Sequence, residues 1–393
     1  MISQYITEAM ERSSWIRRMF DVGQEMKRKY GVENVYDLTL GNPLIEPPDK
    51  FFEVLATLSV NTSSGRHRYM SNAGFEDVRR KVAHYLTKNQ ILETEAEHIV
   101  MTIGVGGGLN VILKTILNPG DEVIILAPFF AEYVFYIQNH QGVVVIAETT
   151  TDFDLDLEEI DRKITEKTKA IIINSPNNPS GRLYSDERLN QFVDLLNQKQ
   201  KQFRHDIYLI SDEPYRDIVY DRVRAPSVCA KYDNSFFGYS WSKSLSIPGD
   251  RIGYIAANPK MTDIKKTMNG LIFSNRILGF INAPAVMQMA VGKLLYAHVK
   301  VSYYERKRDR IYQALVEAGY DVYKPEGTFY FFPKCPSDDE IEFINVAKEN
   351  RVLLVPGRGF GRPGYFRIAY CTDDRTIERA LDHLYDLPKK VKQ

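Results

Sequence analysis

The sequence predicts an α/β fold: a mostly parallel β-sheet covered by helices, with a second, smaller α+β domain. Between residues 106 and 256, short apolar segments alternate with segments of helical periodicity. This alternation is typical of parallel strands joined by helices that cover both faces of the sheet. After residue 260, long helical patterns lead into short strands. That change of pattern indicates the second domain.

The N-terminal region precedes the alternating pattern. Residues 3–30 predict a polar amphipathic helix that ends at Gly31, because glycine commonly follows the last helical residue. A turn is predicted at Gly41-Asn42-Pro43. Because residues 1–45 come before the alternating region, we expect the first helix to pack with the smaller domain.

The other elements follow from the same periodicities. One strand is predicted directly before Thr102, and others are predicted to cover residues 122–126, 143–146, 170–173, 207–211, 236–239, 252–256, 329–332, 352–355 and 366–370. Helices are predicted over residues 50–60, 75–88, 106–117, 130–139, 156–164, 185–200, 260–274, 281–298, 301–318, 338–350 and 373–386.

Length and charge limit the classes of protein. The chain has 393 residues, with 51 basic and 51 acidic side chains. At roughly 100–200 residues per domain, this length suggests about two or three domains, or one large domain with an appendage. The formal net charge of zero argues against a protein that binds nucleic acid or an anionic membrane through its overall charge. We therefore expect neither partner.

Cysteine usage and hydropathy indicate the compartment. Cys229, Cys335 and Cys371 lie far apart, and no CxxC or Cys/His cluster occurs. Neither a disulfide framework nor a metal site is indicated, and the cysteines are interpreted as buried side chains in a reducing compartment. The apolar runs are shorter than the ~20 residues of a membrane-spanning helix. The N-terminus lacks the pattern of a secretory signal. We expect a cytoplasmic protein.

A glycine-rich turn follows the strand predicted before Thr102 and opens a helix. Residues 104–108 read Gly-Val-Gly-Gly-Gly. Glycines in this position let backbone N–H groups approach an anion, which the helix N-terminus also favours. The spacing matches neither a P-loop nor the dinucleotide fingerprint. Tight packing between strand and helix explains these glycines equally well.

Two polar segments follow predicted strands, at the edge where open parallel sheets bind ligands. Residues 176–179 read Pro-Asn-Asn-Pro directly behind an apolar strand, which is more unusual than an ordinary turn requires. Asp212 and Glu213 end the next strand, where a buried carboxylate must be paired or bind a ligand. Helix capping is the simpler interpretation of either carboxylate alone.

Two basic side chains have unusual neighbours. Lys243 lies among small hydroxyl residues, including Ser240 and Ser242, and is followed by Arg251. This segment is either a solvated loop or an imine-forming lysine beside a phosphate-binding cup. Arg367 lies in an otherwise apolar strand pattern, where its guanidinium needs a planar anionic partner. A structural salt bridge explains Arg367 as well as a ligand does.

Taken in order, these segments resemble the fold-type-I pyridoxal-phosphate enzymes, and among them the class I/II aminotransferases that are similar to aspartate aminotransferase. The matching segments span nearly the whole chain: Asn178-Pro179-Ser180-Gly181, Asp212-Glu213-Pro214-Tyr215, Ser240-Trp241-Ser242-Lys243, Arg251 and Arg367. The resemblance implies a large domain of residues 46–285, which binds pyridoxal 5′-phosphate and contains a seven-stranded-type sheet. The small domain would consist of residues 1–45 and 286–393. A homodimer with shared active sites is also implied.

The resemblance implies catalytic roles for three residues. Lys243 would form a Schiff base with the cofactor and then move the substrate proton, which requires an amine of lowered pKa. Asp212 would pair with the pyridine nitrogen and keep it protonated. Tyr215, together with Asn178, would hydrogen-bond O3′ of the ring.

Further implied contacts hold the phosphate, the ring and the substrate. The implied phosphate ligands are Ser240, Ser242, Arg251 and the backbone amides of Val105, Gly106 and Gly107. Phe130 matches the aromatic residue that stacks on the ring, with nearby Tyr133 as the alternative. Arg367 would bind the substrate α-carboxylate, with Gly41 and Asn178 beside it.

Three positions concern the partner subunit and the substrate. Tyr69 matches a tyrosine that relatives contribute to the partner subunit's phosphate site. Some aspartate-using relatives have a lysine where Gly106 stands, and others use an arginine of the neighbouring subunit, for which Arg276 is the nearest candidate. The open glycine turn therefore predicts room for a larger or apolar substrate side chain.

The leading interpretation is transfer of an α-amino group between an amino acid and a 2-oxo acid. A pyridoxal-phosphate β-lyase that cleaves C–S bonds has the same fold, and the motifs do not separate the two. An effector-sensing regulator would need a DNA-binding helix-turn-helix, for which the segment before Gly41 leaves no room. Intact Lys243, Asp212 and Arg367 disfavour an inactive scaffold.

Overall fold

The computed structural model describes residues 2–11, 15–61 and 63–391. Its helices are α1 (Gln4–Glu11), α2 (Trp15–Tyr30), α3 (Asp49–Val60), α4 (Glu76–Lys88), α5 (Gly104–Ile116), α6 (Glu132–Asn139), α7 (Leu157–Lys163), α8 (Asp186–Phe203), α9 (Trp241–Ser244), α10 (Ile264–Ile277), α11 (Ala285–Val291), α12 (Val301–Glu317), α13 (Glu340–Glu349) and α14 (Asp374–Val391). Its strands are β1 (Tyr36–Asp37), β2 (Ile99–Thr102), β3 (Glu122–Ala127), β4 (Val143–Glu148), β5 (Thr168–Asn174), β6 (Tyr208–Asp212), β7 (Ser235–Ser240), β8 (Gly253–Ala257), β9 (Tyr330–Phe331), β10 (Val352–Leu353), β11 (Val355–Pro356) and β12 (Phe366–Ala369).

Seven of these strands form one large sheet in the order β2-β8-β7-β6-β5-β3-β4. All neighbours are parallel except β8, which is antiparallel to both β2 and β7. The central strands are continuous apolar runs because both faces are covered: Ile171 of β5 packs into one buried cluster and its neighbour Ile172 into another. The predicted mostly parallel, seven-stranded sheet is confirmed.

The sheet places three strand ends side by side. Asn174, the last residue of β5, is the register partner of Asp212, the last residue of β6. Asp212 in turn lies opposite Gly238 of β7, which ends two residues later at Ser240. Because these strands are parallel, their carboxyl ends meet at the same edge, and the polar segments that follow them converge there.

A smaller region packs around a second buried cluster. It contains the antiparallel sheet β11-β12-β9 and the parallel pair β1-β10. Met19 of α2 belongs to this cluster together with residues of α12, α13 and α14, so the second N-terminal helix packs where the sequence predicts. Helix α1 lies elsewhere, because the hydroxyl of Tyr5 donates a hydrogen bond to Asn139 Oδ1 of α6 at 3.0 Å. The predicted domain bounds stay a prediction.

Two predicted helices differ from the structure. The segment predicted as one helix over residues 3–30 contains α1 and α2, with residues 12–14 between them outside the described residues. The helix predicted over residues 281–298 ends at Val291, where Gly292 follows. The apolar pattern continues past this end because Leu294 is buried in the large core from an irregular segment. After Val291, the apolar pattern therefore reflects burial of an irregular segment and not a helix.

The described residues contain no helix that is both long and apolar enough to cross a bilayer. They contain no group of three or more His, Cys, Asp or Glu side chains placed to hold a metal ion. All three cysteines are buried and unpaired, as their interpretation as small apolar side chains predicts.

Candidate active site

The carboxyl ends of β5, β6 and β7 open into a cavity of about 280 Å3. The predicted site residues that line it are Gly41, Val105, Gly106, Phe130, Asn178, Asp212, Tyr215, Ser240, Ser242, Lys243, Arg251 and Arg367. The predicted residues Gly107 and Tyr69 do not line it. Further lining residues are Tyr136, Asn174, Pro214, Pro248 and Tyr330.

Lys243 lies on the short helix α9, which begins directly after β7. Its Nζ donates a hydrogen bond to the carbonyl oxygen of Gly41 at 2.8 Å. Burial lowers the pKa of Lys243 to about 8; the nearby Cys371 thiol opposes this shift, and the charges of Arg367 and Arg251 add to it. The amine therefore exchanges its proton close to neutral pH, unlike a surface lysine.

Asp212 is buried at the end of β6, and its two carboxylate oxygens differ. Oδ2 accepts a hydrogen bond from the hydroxyl of Tyr133 at 2.5 Å. Oδ1 is buried without a hydrogen-bond partner among the described residues. Burial raises the pKa of Asp212 to about 7, against the lowering effect of the Tyr133 bond and with a small addition from Glu213. Such a carboxylate needs a cationic or N–H partner at Oδ1.

The two aromatic candidates for ring stacking have separate positions. Phe130 lines the cavity, whereas the hydroxyl of Tyr133 is engaged with Asp212. Their rings meet edge to face, with centroids 5.5 Å apart and planes at 85°. Sequence reasoning missed Tyr133 as the partner of Asp212, because the residues are 79 positions apart and only the fold brings them together.

The Asn-rich segment after β5 is held by its own side chains. The amide of Asn174 donates to the carbonyl oxygen of Asp212 at 2.7 Å, and Asn174 Oδ1 accepts the backbone N–H of Asn178 at 2.7 Å. Asn177 Oδ1 accepts hydrogen bonds from the N–H and the hydroxyl of Ser180. The segment is thus a turn with satisfied polar groups, and it fixes the position of Asn178 at the cavity wall.

Arg367 of β12 is buried and lines the same cavity. Nη1 donates to Asn178 Oδ1 at 3.0 Å and Nη2 to the carbonyl oxygen of Thr39 at 2.5 Å, while Nε has no partner among the described residues. The guanidinium carbon lies 4.6 Å from the ring centroid of Tyr330 and 4.7 Å from that of Phe360. Burial lowers the pKa of Arg367, and no carboxylate contributes to its environment. The structural salt bridge considered from the sequence is absent among the described residues.

Tyr330 is a site residue that sequence reasoning missed. Its hydroxyl and that of Tyr215 are 2.9 Å apart, and burial raises the pKa of both phenols. A Cβ on Gly41 would lie 1.7 Å from the Tyr330 hydroxyl oxygen, so residue 41 must be glycine to let the backbone approach. Tyr330 is one of 24 tyrosines and lies in an aromatic strand, where its sequence gives no signal of a polar role.

The glycine turn and Arg251 lie together at one end of the cavity. A Cβ on Gly104 would lie 3.1 Å from Nη2 of Arg251, so the guanidinium approaches the N-terminus of α5 closely. Ser240 and Ser242 are also cavity residues here, with hydroxyl oxygens 3.1 Å apart. A helix N-terminus, two hydroxyls and a guanidinium form a site suited to an anion.

Three other predicted positions lie away from the cavity of this chain. A Cβ on Gly107 would lie 2.6 Å from Ile103 Cγ1, which shows that this glycine packs against its own turn. Tyr69 is 90% exposed. Arg276 is exposed on α10, where its guanidinium carbon lies 5.1 Å from the ring centroid of Phe273.

The chain is similar to known proteins over nearly its full length. The family model "Aminotransferase class I and II" matches residues 33–384. A probable aspartate/prephenate aminotransferase of Aquifex aeolicus is 31% identical over 383 residues, covering 92% of this chain and 94% of that protein. The aromatic-amino-acid aminotransferase 2 of Thermococcus litoralis is 28% identical over 396 residues, covering 98% and 97%. The crystal structure of an amino transferase from Eubacterium rectale superposes with a TM-score of 0.96, at 34% identity and full coverage of both chains.

These similarities confirm the resemblance that the sequence motifs indicate, and they confirm an enzyme that transfers amino groups. Members of this family generally depend on pyridoxal phosphate, and most of the site residues that the motifs predict line the cavity. The chain therefore belongs to the aminotransferase class I and II family.

Proposed function

We propose that this aminotransferase binds pyridoxal 5′-phosphate in the cavity at the ends of β5, β6 and β7 and there moves the α-amino group of an L-amino acid to a 2-oxo acid. The observation that supports this most directly is the pairing of groups in one cavity: a buried amine at Lys243, a buried carboxylate oxygen of Asp212 without a partner, and an arginine, Arg367, without a carboxylate.

The residues present fit this cofactor. Asp212 Oδ1 needs a donor, and a protonated ring nitrogen is one. The site formed by the glycine turn, Ser240, Ser242 and Arg251 suits a phosphate dianion. We assign the phosphate to Ser240, Ser242, Arg251 and the amides of Val105 and Gly106, the ring hydroxyl to Asn178 and Tyr215, and ring stacking to Phe130.

Lys243 and Asp212 perform the proton chemistry in this proposal. When bound, pyridoxal phosphate supplies an aldehyde that condenses with amines and a ring that accepts the electron pair left at the substrate Cα. Lys243 Nζ attaches the cofactor and later moves the proton from the substrate Cα, a role that its lowered pKa suits. Asp212 holds the proton on the ring nitrogen, and this positive charge favours the ionised carboxylate.

Arg367 binds the substrate α-carboxylate in this proposal. Its planar guanidinium matches a carboxylate bidentately, and its Nε is free to donate. The rings of Tyr330 and Phe360 both pack against the guanidinium, so little side-chain entropy is lost on binding. Asn178 and the backbone at Gly41 lie beside the same position.

We further propose that the preferred amino donor has a neutral side chain. Among the described residues, the cations that line the cavity are Lys243, Arg251 and Arg367, and each already has a role. A second substrate carboxylate would find no further cation among the described residues that line the cavity, since Arg276 is exposed outside it. Activity with alanine, methionine and aromatic amino acids is expected to exceed activity with aspartate. Aspartate activity far above these would contradict the proposal and would indicate a cation from another subunit.

We propose a homodimer in which Tyr69 of each chain reaches the phosphate site of its partner. Tyr69 is 90% exposed in the single chain, so its side chain is accessible to a partner subunit. Sedimentation is expected to give twice the chain mass of 45.3 kDa, and Tyr69→Phe to weaken cofactor binding. A monomer with full activity would contradict both.

The three free cysteines agree with a cytoplasmic location, which we also propose.

Replacement of Lys243 tests the cofactor assignment. Lys243→Ala is expected to abolish the visible absorbance of the bound cofactor and the transamination of amino acids with 2-oxoglutarate or pyruvate. Persistence of both would refute the assignment. The lyase alternative is separated by product: release of a thiol and ammonia from a sulfur amino acid, without a new amino acid, would establish C–S cleavage instead.

A further inference from the structure

One wall of the anion site is made by two helices that face each other. Tyr136 and His140 are one turn apart at α6, and Gly106 and Asn110 are one turn apart on α5. His140 Nε2 lies 3.2 Å from Asn110 Oδ1, and the Asn110 amide donates to the carbonyl oxygen of Gly106 at 2.9 Å. This chain of hydrogen bonds fixes the glycine turn against α6.

Tyr136 has a polar atom that the fold leaves unused. Its ring packs against the apolar cluster on this face of the sheet, while the residue also lines the cavity. The hydroxyl forms no hydrogen bond with any of the described residues. A Cβ on Gly106 would lie 3.0 Å from the hydroxyl oxygen, so this oxygen stands directly over the turn. Burial raises the pKa of Tyr136 to about 12, which keeps the phenol protonated and able to donate.

The surroundings of this hydroxyl indicate which ligand it meets. It stands over the N-terminal turn of α5, where unpaired backbone N–H groups favour an anion. The charges of Glu132 and Asp212 add to the raised pKa of Tyr136, and the positive charge of Arg251 opposes them. A protonated donor over a helix N-terminus is placed to bind an anionic oxygen, and the anion of the proposed function is a phosphate monoester.

We propose that Tyr136 is a further phosphate ligand, whose Oη donates a hydrogen bond to the phosphate group of the cofactor, and that residue 106 is glycine to leave room for this hydroxyl. The assignment rests on the proposed function. It adds a donor from α6 to the ligands at the ends of β7 and α5, and it explains the glycine at 106 by a neighbour rather than by backbone conformation.

The test compares ligands with and without phosphate on the cofactor-free enzyme. In Tyr136→Phe, the dissociation constants of pyridoxal phosphate and of inorganic phosphate are expected to rise about 10-fold, as for the loss of a hydrogen bond to a charged group. Binding of pyridoxal, which lacks the phosphate, is expected to stay unchanged. Tyr208→Phe is the matched control, because Tyr208 has a partly buried ring on β6 away from the cavity.

The outcomes separate this inference from the proposed function. If the wild-type enzyme does not bind pyridoxal phosphate, the proposed function fails. If the wild type binds it and Tyr136→Phe binds it equally well, only the Tyr136 assignment fails. Equal weakening for pyridoxal and pyridoxal phosphate also overturns the assignment, because it shows that the phenol supports the ring or the fold instead of the phosphate.

A double-mutant cycle tests the link to Gly106. Gly106→Ala places a methyl group against the Tyr136 hydroxyl and is expected to weaken phosphate binding. In the Tyr136→Phe background the 3.0 Å contact is gone, so the same alanine is expected to cost clearly less. Strictly additive losses would show that Gly106 is required for another reason and would overturn this part of the proposal.

Discussion

The two sides of the cavity are built in different ways. On the sheet side, Asn174 and Asp212 come from neighbouring parallel strands and are register partners, so the strand pairing itself fixes their distance. On the side of Arg367, the contacting groups come from segments far apart in the chain. The contact with Asn178 joins the smaller region to the large sheet, whereas Thr39 and Tyr330 belong to the smaller region itself.

The two sides of the cavity are proposed to have different functions. We call the part of the cavity formed by Asn174 and Asp212 the sheet side, and the part around Arg367 the arginine side. The sheet side holds the residues proposed to act on the cofactor, and a continuous hydrogen-bonded sheet keeps them in place before any ligand binds. The arginine side holds the residues proposed to bind the substrate carboxylate. Substitutions on the sheet side should therefore change the chemical step, and those on the arginine side should change substrate binding.

The largest effect is expected for Asp212→Asn on the sheet side. The amide keeps the shape of the carboxylate but removes the negative charge that would hold a proton on the ring nitrogen. Loss of such a preorganised charge is expected to lower kcat by about 10³-fold for every amino donor. Steady-state kinetics check this, with exposed Asp382→Asn on α14 as the control. A near-normal kcat would contradict the assignment of the chemical step to the sheet side.

A smaller and different effect is expected for Arg367→Ala on the arginine side. Truncating one partner of a buried ion pair costs about 2–5 kcal/mol, so kcat/KM should fall by at least about 30-fold. The fall should lie in KM, while the visible spectrum and the dissociation constant of the cofactor stay as in the wild type. Exposed Arg375→Ala is the control. An equal loss of cofactor binding would contradict the comparison.

A third prediction concerns the stability of the cofactor-free enzyme. The folded-state pKa of Lys243 is about 8, against 10.5 for an ordinary lysine side chain, so folding disfavours the charged amine. Lys243→Met removes that cost and is expected to stabilise the cofactor-free protein at pH 7 by roughly 1–3 kcal/mol. Denaturant unfolding measures this difference.

The pH dependence gives the sign of this effect. Between pH 8 and pH 10.5 the unfolded chain binds the Lys243 proton and the folded protein does not, so wild-type stability rises with pH in this window. The advantage of Lys243→Met is full below pH 8 and shrinks as the pH approaches 10.5. A stability difference that is constant over this window would show that the buried amine is not its cause.

The smallest effect is expected for Tyr330→Phe, which tests the contact between the two sides. The variant keeps the ring against Arg367 and removes only the hydroxyl that meets Tyr215. One neutral hydrogen bond is worth about 0.5–1.5 kcal/mol, so kcat/KM should fall by about 2- to 10-fold. Kinetics with a single amino donor are sufficient. A loss as large as that of Arg367→Ala would mean that the hydroxyl has a chemical role.

The sequence predicted most of the sheet side. Strands that are covered on both faces are apolar runs, and this pattern is local, so β3, β5 and β6 are visible without a structure. Asp212 and Asn178 follow such runs directly, and Lys243 is marked by its serine neighbours. Functional residues at strand ends can therefore be predicted from sequence motifs.

The arginine side was predicted only at Arg367, whose charge contrasts with an apolar strand. Tyr330 has no such contrast, because its neighbours in the strand are also aromatic. Tyr133 was considered as a stacking ring, and its hydroxyl contact with Asp212 was not foreseen. Tyr136 gave no signal at all. A tyrosine fits an apolar sequence pattern because of its ring. The hydrogen-bond partner of its hydroxyl is therefore visible only in the three-dimensional structure.

The sequence by itself determined the fold class, the mostly parallel sheet and the identity of the residues at its edge, because periodicity and strand-end motifs depend on near neighbours in the chain. Only the tertiary structure decided which oxygen of Asp212 is left without a partner, why residue 41 is glycine, and that the amine of Lys243 has a pKa of about 8. The physical reason is that desolvation, close approach and orphaned polar atoms are properties of the surroundings of a residue, and those surroundings come from distant segments.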